Sequence, residues 1–151
     1  MRKYCGRWEY KLRNHGYKCT ATREIVLEIL HSTNDHLSPE DIYLKAHENY
    51  PNIGLTTVYR TLDMLSKLGM VQKFDFGDGR SRYELSEDLG HKKHHHHLIC
   101  IKCGRILDYS EFIEEELLLL KKIEKKLGIK YKFKINDHIL QFNGICNLCI
   151  S

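Results

Sequence analysis

Long hydrophobic runs are missing from this 151-residue sequence. No stretch of 18 or more apolar residues occurs, so nothing reads as a transmembrane helix. One of the longer apolar runs, Leu117 to Leu120, is far too short to span a bilayer. The opening Met1-Arg2-Lys3-Tyr4-Cys5 is not followed by an apolar h-region, which predicts a cytoplasmic chain. Repeats at solenoid periods and low-complexity tracts are also missing. No hydrolase nucleophile motif is present, so the sequence does not read as an enzyme.

Charge is modest in sum and uneven in place. The net charge is +4, yet residues 1–23 hold seven Lys/Arg against one acid, Glu9. A basic segment of this kind suits a phosphate-rich partner, and equally a solvated helix face. Apolar residues make up 42%, enough for folded cores. Composition and period change near residue 86. The reading is a first domain over 1–86, a polar hinge over 87–93 and a second domain over 94–151.

The first half predicts four helices. Residues 3–15 form a basic amphipathic helix closed by Gly16. Residues 21–32 place Ile25, Val26, Ile29 and Leu30 on one face. A third helix opens at Ser38 (N-cap), Pro39 (N1) and Asp41 near the capping-box position. A fourth runs from about Thr56 to Lys67, with Val58, Leu62, Leu65 and Leu68 inward and Gly69 as its stop. A hairpin, 70–76 and 80–85, follows around Gly77-Asp78-Gly79. Three helices and then a hairpin is the order of a winged helix-turn-helix, whose last helix enters the major groove. The second half predicts a strand 97–101, a knuckle at 100–104, a strand 105–109, a helix 111–127 stopped by Gly128, and strands 130–136 and 138–143. The helix carries Phe112, Ile113, Leu117, Leu120, Ile123 and Leu127 as an apolar stripe.

Three constellations carry chemistry. Cys100-x-x-Cys103 and Cys146-x-x-Cys149 lie 42 residues apart. Each two-residue gap turns both thiolates of a knuckle toward one ion, and two knuckles complete a tetrahedron, the pattern of structural Zn²⁺. Cys5 and Cys19 lack such spacing and read as ordinary thiols. His94-His95-His96-His97 precedes the first pair. In an extended chain His95 and His97 share one face and His94 and His96 the other, so the run can feed two metal sites. In Gly54-Leu55-Thr56-Thr57-Val58-Tyr59-Arg60, Thr56 or Thr57 can cap the helix and touch phosphate. Tyr59 and Arg60 there face away from the core and suit thymine methyls, base edges and phosphate.

Together with Arg82-Tyr83-Glu84-Leu85 and with Asp137-His138 ahead of Gly144-Ile145-Cys146, these motifs resemble the ferric uptake regulator family in order and spacing, from about Leu12 to Cys149. The resemblance implies an α+β chain: an N-terminal winged helix-turn-helix DNA-binding domain and a C-terminal α/β dimerisation domain with a four-cysteine zinc site. It implies a homodimeric repressor of metal-homeostasis genes that binds AT-rich palindromic operators in double-stranded DNA. The family's DNA-contacting residues fall on Lys18, Tyr59 and Arg60. Its structural zinc ligands fall on Cys100, Cys103, Cys146 and Cys149. Its regulatory site falls on His36, Glu84, His95, His97 and Asp108, for Fe²⁺, Mn²⁺ or Zn²⁺. A further family site falls on His94, His96, Glu115 (or, by the alternative count, Glu114) and His138. The family usually has Asp where this chain has His96.

Branch signals conflict. Asp108 resembles peroxide-sensing members, whereas Glu84 resembles the iron-uptake branch, and a peroxide-sensing repressor using the same site stays open. Zinc-uptake regulators usually add a Cys to the sensor site, and none lies near Glu84. Outside the family, a metallo-hydrolase requires an open zinc position and a general base, and a plain zinc-ribbon interaction module requires no operator.

Overall fold

A computed structural model describes residues 5–86, 89 and 94–150, the side chains of 5–7 excepted. The chain divides into two compact units, Met1–His91 and Lys92–Ser151. The segment expected as a hinge, 87–93, lies outside the described residues save Leu89, which packs against the core of the first unit.

The first unit runs α1 (Cys5–Asn14), α2 (Ala21–His31), α3 (Pro39–His47), α4 (Leu55–Lys67), β1 (Val71–Asp75) and β2 (Ser81–Leu85). Helical spacing puts Val58, Thr61, Leu62 and Leu65 of α4 on one buried face, at i, i+3, i+4 and i+7. They meet Val26, Leu27 and Leu30 of α2, Ile42 and Ala46 of α3, and Trp8 and Leu12 of α1 in one core. The α3 start is the expected one. Ser38 Oγ accepts from the Asp41 N–H at 3.1 Å, and the Asp41 carboxylate accepts from the Ser38 N–H at 3.0 Å. The α4 start differs. Its N-cap is Gly54 with no side-chain cap, so Thr56 and Thr57 sit exposed within the first turn.

The hairpin pairs Val71 with Leu85 through Asp75 with Ser81, antiparallel. Gly77 (φ 84°) and Gly79 (φ 75°) take the left-handed conformations its tip requires. An isolated antiparallel bridge ties Leu37 to Tyr83, with N–H to O distances of 3.1 and 2.8 Å. Cys19, expected as an ordinary thiol, is disulfide-bonded; sequence spacing does not report which thiols a fold brings together.

The second unit runs β3 (His96–Cys100), β4 (Ile106–Tyr109), α5 (Ile113–Tyr131) and β5 (Gln141–Gly144). Its sheet has the order β4-β3-β5, with β3–β4 antiparallel and β3–β5 parallel. The helix does not stop at Gly128. It continues to Tyr131 and closes at Lys132, which takes the left-handed cap conformation (φ 51°). Gly128 instead permits a close approach: its carbonyl accepts from the Phe133 N–H at 3.0 Å, and a Cβ there would lie 3.0 Å from the Phe133 carbonyl oxygen. Among the described residues no strand occupies 130–136, because α5 and the loop after it use that segment. The expected apolar stripe of α5 is present in sequence but uncovered: the helix has no buried residue, and Phe112, Ile123 and Leu127 are exposed.

Candidate functional site

The two knuckles become neighbours through the parallel β3–β5 pairing, whose register sets Cys100 beside Gly144. The first knuckle closes with the Gly104 N–H donating to the Cys100 carbonyl at 2.8 Å, Gly104 taking φ 74°. The second closes with the Cys149 N–H donating to the Cys146 carbonyl at 2.9 Å. All four sulfurs lie within 4.8 Å of one another, unbridged, and Cys103 Sγ is 3.7 Å from Cys146 Sγ. A tetrahedron with Zn–S bonds of ~2.3 Å has edges of about 3.8 Å, so the cluster has the dimensions of a zinc tetrathiolate.

The electrostatics agree. Backbone N–H groups, first that of Cys146, lower the Cys100 thiol to about 6, while hydrogen bonds with Cys146 and Cys103 push the Cys149 thiol up to about 12. Four adjoining thiols cannot all ionise without a cation, and a Zn²⁺ held there would supply the compensating charge.

A second cluster belongs to the first unit. The Leu37–Tyr83 bridge sets His36 alongside Glu84, and His36 Nε2 lies 3.2 Å from Glu84 Oε2. Both side chains are buried, at 6% and 7% exposure. Phe74 and Phe76, stacked on each other, each meet the imidazole in T-shaped contact with ring centroids 5.3 Å apart. A carboxylate and an imidazole held this close beside two phenyl rings can form one side of a cation site.

The second unit presents His95, His97 and Asp108. The register pairs His97 with Asp108 across β3–β4. His97 Nε2 is 3.7 Å from Asp108 Oδ1, and His95 Nε2 is 4.0 Å from Asp108 Oδ2. Alternation along the strand then turns His94 and His96 to the other face, where His138 joins them. His94 Nε2 and His96 Nε2 are 3.0 Å apart, and the buried His138 Nε2 has no hydrogen-bond partner among the described residues. Carboxylates hold the other ring nitrogens: Glu116 Oε2 lies 2.5 Å from His96 Nδ1, and Glu124 Oε1 lies 2.9 Å from His138 Nδ1. Nδ1 held by a carboxylate with Nε2 turned inward is the usual preparation of a metal-binding histidine. Burial lowers the His96 pKa, with Glu116 opposing, which favours the neutral imidazole that a metal requires.

The ferric uptake regulator family model matches residues 14–143. The Bacillus subtilis ferric uptake regulation protein is 44% identical over 150 residues, covering 99% of this chain and 96% of that protein. The chain belongs to the ferric uptake regulator family. Among solved structures of the family, the Pseudomonas aeruginosa regulator with manganese superposes at a TM-score of 0.76, with 28% identity over 91% of this chain and 96% of that one. The Helicobacter pylori regulator, described with three functional metal-binding sites, gives a TM-score of 0.73, with 28% identity over 96% and 90%. Members of the ferric uptake regulator family are metal-dependent transcriptional regulators.

Of the family positions read from sequence, the structure brings the four cysteines together. It pairs His36 with Glu84, gathers His95 and His97 at Asp108, and gathers His94, His96 and His138. Glu115 is not at the last cluster. It is exposed, and Glu116, one residue and about 100° further round the helix, reaches His96. Glu116 and Glu124 were legible only through helical phase: with Leu120 they recur at i, i+4 and i+8. Lys18, Thr56, Thr57, Tyr59 and Arg60 are all exposed on the first unit.

Proposed function

We propose that this ferric uptake regulator family member is a homodimeric repressor in which one divalent cation is shared by its two units. His36 and Glu84 supply one part of the ligand set, and His95, His97 and Asp108 the other. The carrying observation is the His36–Glu84 pair, 3.2 Å apart and assembled by the Leu37–Tyr83 bridge within the DNA-reading unit. A buried imidazole and carboxylate form half a coordination shell there. A cation that also takes the second unit's ligands restricts how the units turn against each other. To convert a mostly open population into a mostly closed one, it must favour the closed form by about 5 kcal/mol. Several first-row ligand bonds supply that, with Fe²⁺, Mn²⁺ and Zn²⁺ all suited to the mixed N/O set.

The closed dimer presents two copies of α4 to an AT-rich palindromic duplex. Tyr59 and Arg60 meet base edges, Thr56 and Thr57 meet phosphate, and Lys18 reaches the adjacent minor groove. Cys100, Cys103, Cys146 and Cys149 hold a permanent Zn²⁺ that folds the second unit. His94, His96 and His138 hold a further cation, with Glu116 and Glu124 orienting the rings. The four-cysteine set, unbridged although Cys19 is disulfide-bonded, fits a cytoplasmic place of work in which thiolate ligands stay reduced.

The test is duplex binding across Fe²⁺, Mn²⁺ and Zn²⁺, with His36→Ala beside the parent protein. His36→Ala should keep its fold and its four-cysteine zinc and lose the metal-dependent part of its affinity. Metal-dependent binding by His36→Ala equal to that of the parent protein sinks the shared-cation switch. A peroxide arm on the Fe²⁺ form separates the branches: loss of binding together with oxidised His36 or His95 in the mass spectrum assigns peroxide sensing.

A further inference from the structure

Tyr59 on α4 is tied down from another helix. Its hydroxyl donates to Glu40 Oε1 at 2.5 Å, across 19 residues of sequence. Glu40 lies in the first turn of α3, next to the Ser38–Asp41 capping box. Tyr59 is 45% exposed, and its hydroxyl and the carboxylate meet in a cleft of about 600 Å³ shared with Ser38, Pro39, Arg80 and Arg82. Arg82 is engaged by Asp78 at 2.6 Å. A carboxylate in this cleft works against a polyanion, so it adds nothing to phosphate affinity. What it supplies is orientation. A tyrosine has two side-chain torsions, and fixing its hydroxyl leaves the ring few directions to point.

We propose that Glu40 is a positioning residue for base recognition. By holding the Tyr59 hydroxyl it aims the ring at the bases, raising discrimination between operator and other DNA while lowering affinity for DNA in general. The inference rests on Tyr59 reading bases, and it adds the residue that sets the angle of that reading. The hydrogen bond also lowers the Glu40 pKa, so the carboxylate stays ionised as an acceptor at neutral pH.

The test uses the metal-loaded full chain and two probes: a palindrome that the parent protein retains from randomised AT-rich duplexes, and a scrambled duplex of equal composition. Glu40→Gln and Glu40→Ala both delete the charge, but only Gln keeps an oxygen for the hydroxyl. Both should tighten binding to the scrambled duplex. Glu40→Ala should lose about three- to tenfold in discrimination, the worth of one ordinary hydrogen bond, while Glu40→Gln stays within about twofold of the parent. Tyr59→Phe should match Glu40→Ala, and the double variant should lose no more than either single one. Equal discrimination in Glu40→Ala and Glu40→Gln overturns the tether while leaving Tyr59 as a reader. Full discrimination in Tyr59→Ala overturns the reading of bases itself, and the tether with it.

Discussion

Single side chains here act through the backbone positions that hold them. Asp41 closes the α3 capping box, and its carboxyl is held below its ordinary 3.8, chiefly by the Ser38 hydroxyl. A depressed carboxylate stabilises the folded state above its unfolded pKa, and the contribution disappears as pH falls through the lower folded value. Asp41→Asn should therefore destabilise the first unit by about 1 kcal/mol at neutral pH, and the gap should narrow below pH 3.8. Fluorescence of Trp8, the only tryptophan and 1% exposed, reports unfolding of that unit directly. Ser38, Pro39 and Asp41 were legible because a helix start is written in three or four adjacent residues. Glu40 was not, since nothing local says that its carboxylate meets a tyrosine hydroxyl 19 positions away. Glu115 was a counting result, and one step of helical phase moved the role to Glu116.

Elements with a periodic apolar face read well, and elements ended by backbone conformation read badly. The buried α4 face was plain at helical spacing. The end of α5 was not: Gly128 looked like a stop, while the left-handed cap falls on Lys132, a residue with no sequence mark for it. A non-glycine residue at that conformation is strained by roughly 1 kcal/mol. Lys132→Gly should raise the urea midpoint of the second unit by an amount worth about 0.5–1 kcal/mol, part of the relief being offset by the looser unfolded chain. An unchanged or lower midpoint would show that the Lys132 side chain contributes more than its backbone costs. The parallel β5 strand was placed too long, at 138–143 rather than Gln141–Gly144, because its pairing partner lies 40 or more residues earlier and leaves no turn signal.

For the molecule as a whole, the decisive fact is a second unit with too little interior of its own. Leu118, Leu119, Phe133 and Ile139 are 60% exposed or more, and no residue of α5 is more than partly buried. Uncovered apolar surface of this extent marks an interaction face, and the proposed homodimer covers it with a second copy. Leu119→Glu should shift the protein toward monomer in sedimentation velocity, with metal-dependent duplex binding weakened in step. A dimer of undiminished stability would place the interface elsewhere. Cys100→Ser, or zinc removal by a strong chelator, should unfold the second unit and leave Trp8 fluorescence native. Loss of the Trp8 signal at the same chelator concentration would mean that the two units do not fold independently.

The parallel β3–β5 ladder joins strands that no hairpin connects, so its ends meet only when a loop of 42 intervening residues happens to close between the Cys pairs. In the proposed site zinc would tie that loop, and ring closure of this length is a diffusive search rather than a local fold. Refolding after metal stripping should accordingly proceed in two stages, a prompt recovery of the helical unit and a later one paced by how fast the ion returns. On the proposed zinc site, the supply of that ion would set how quickly a working regulator becomes available.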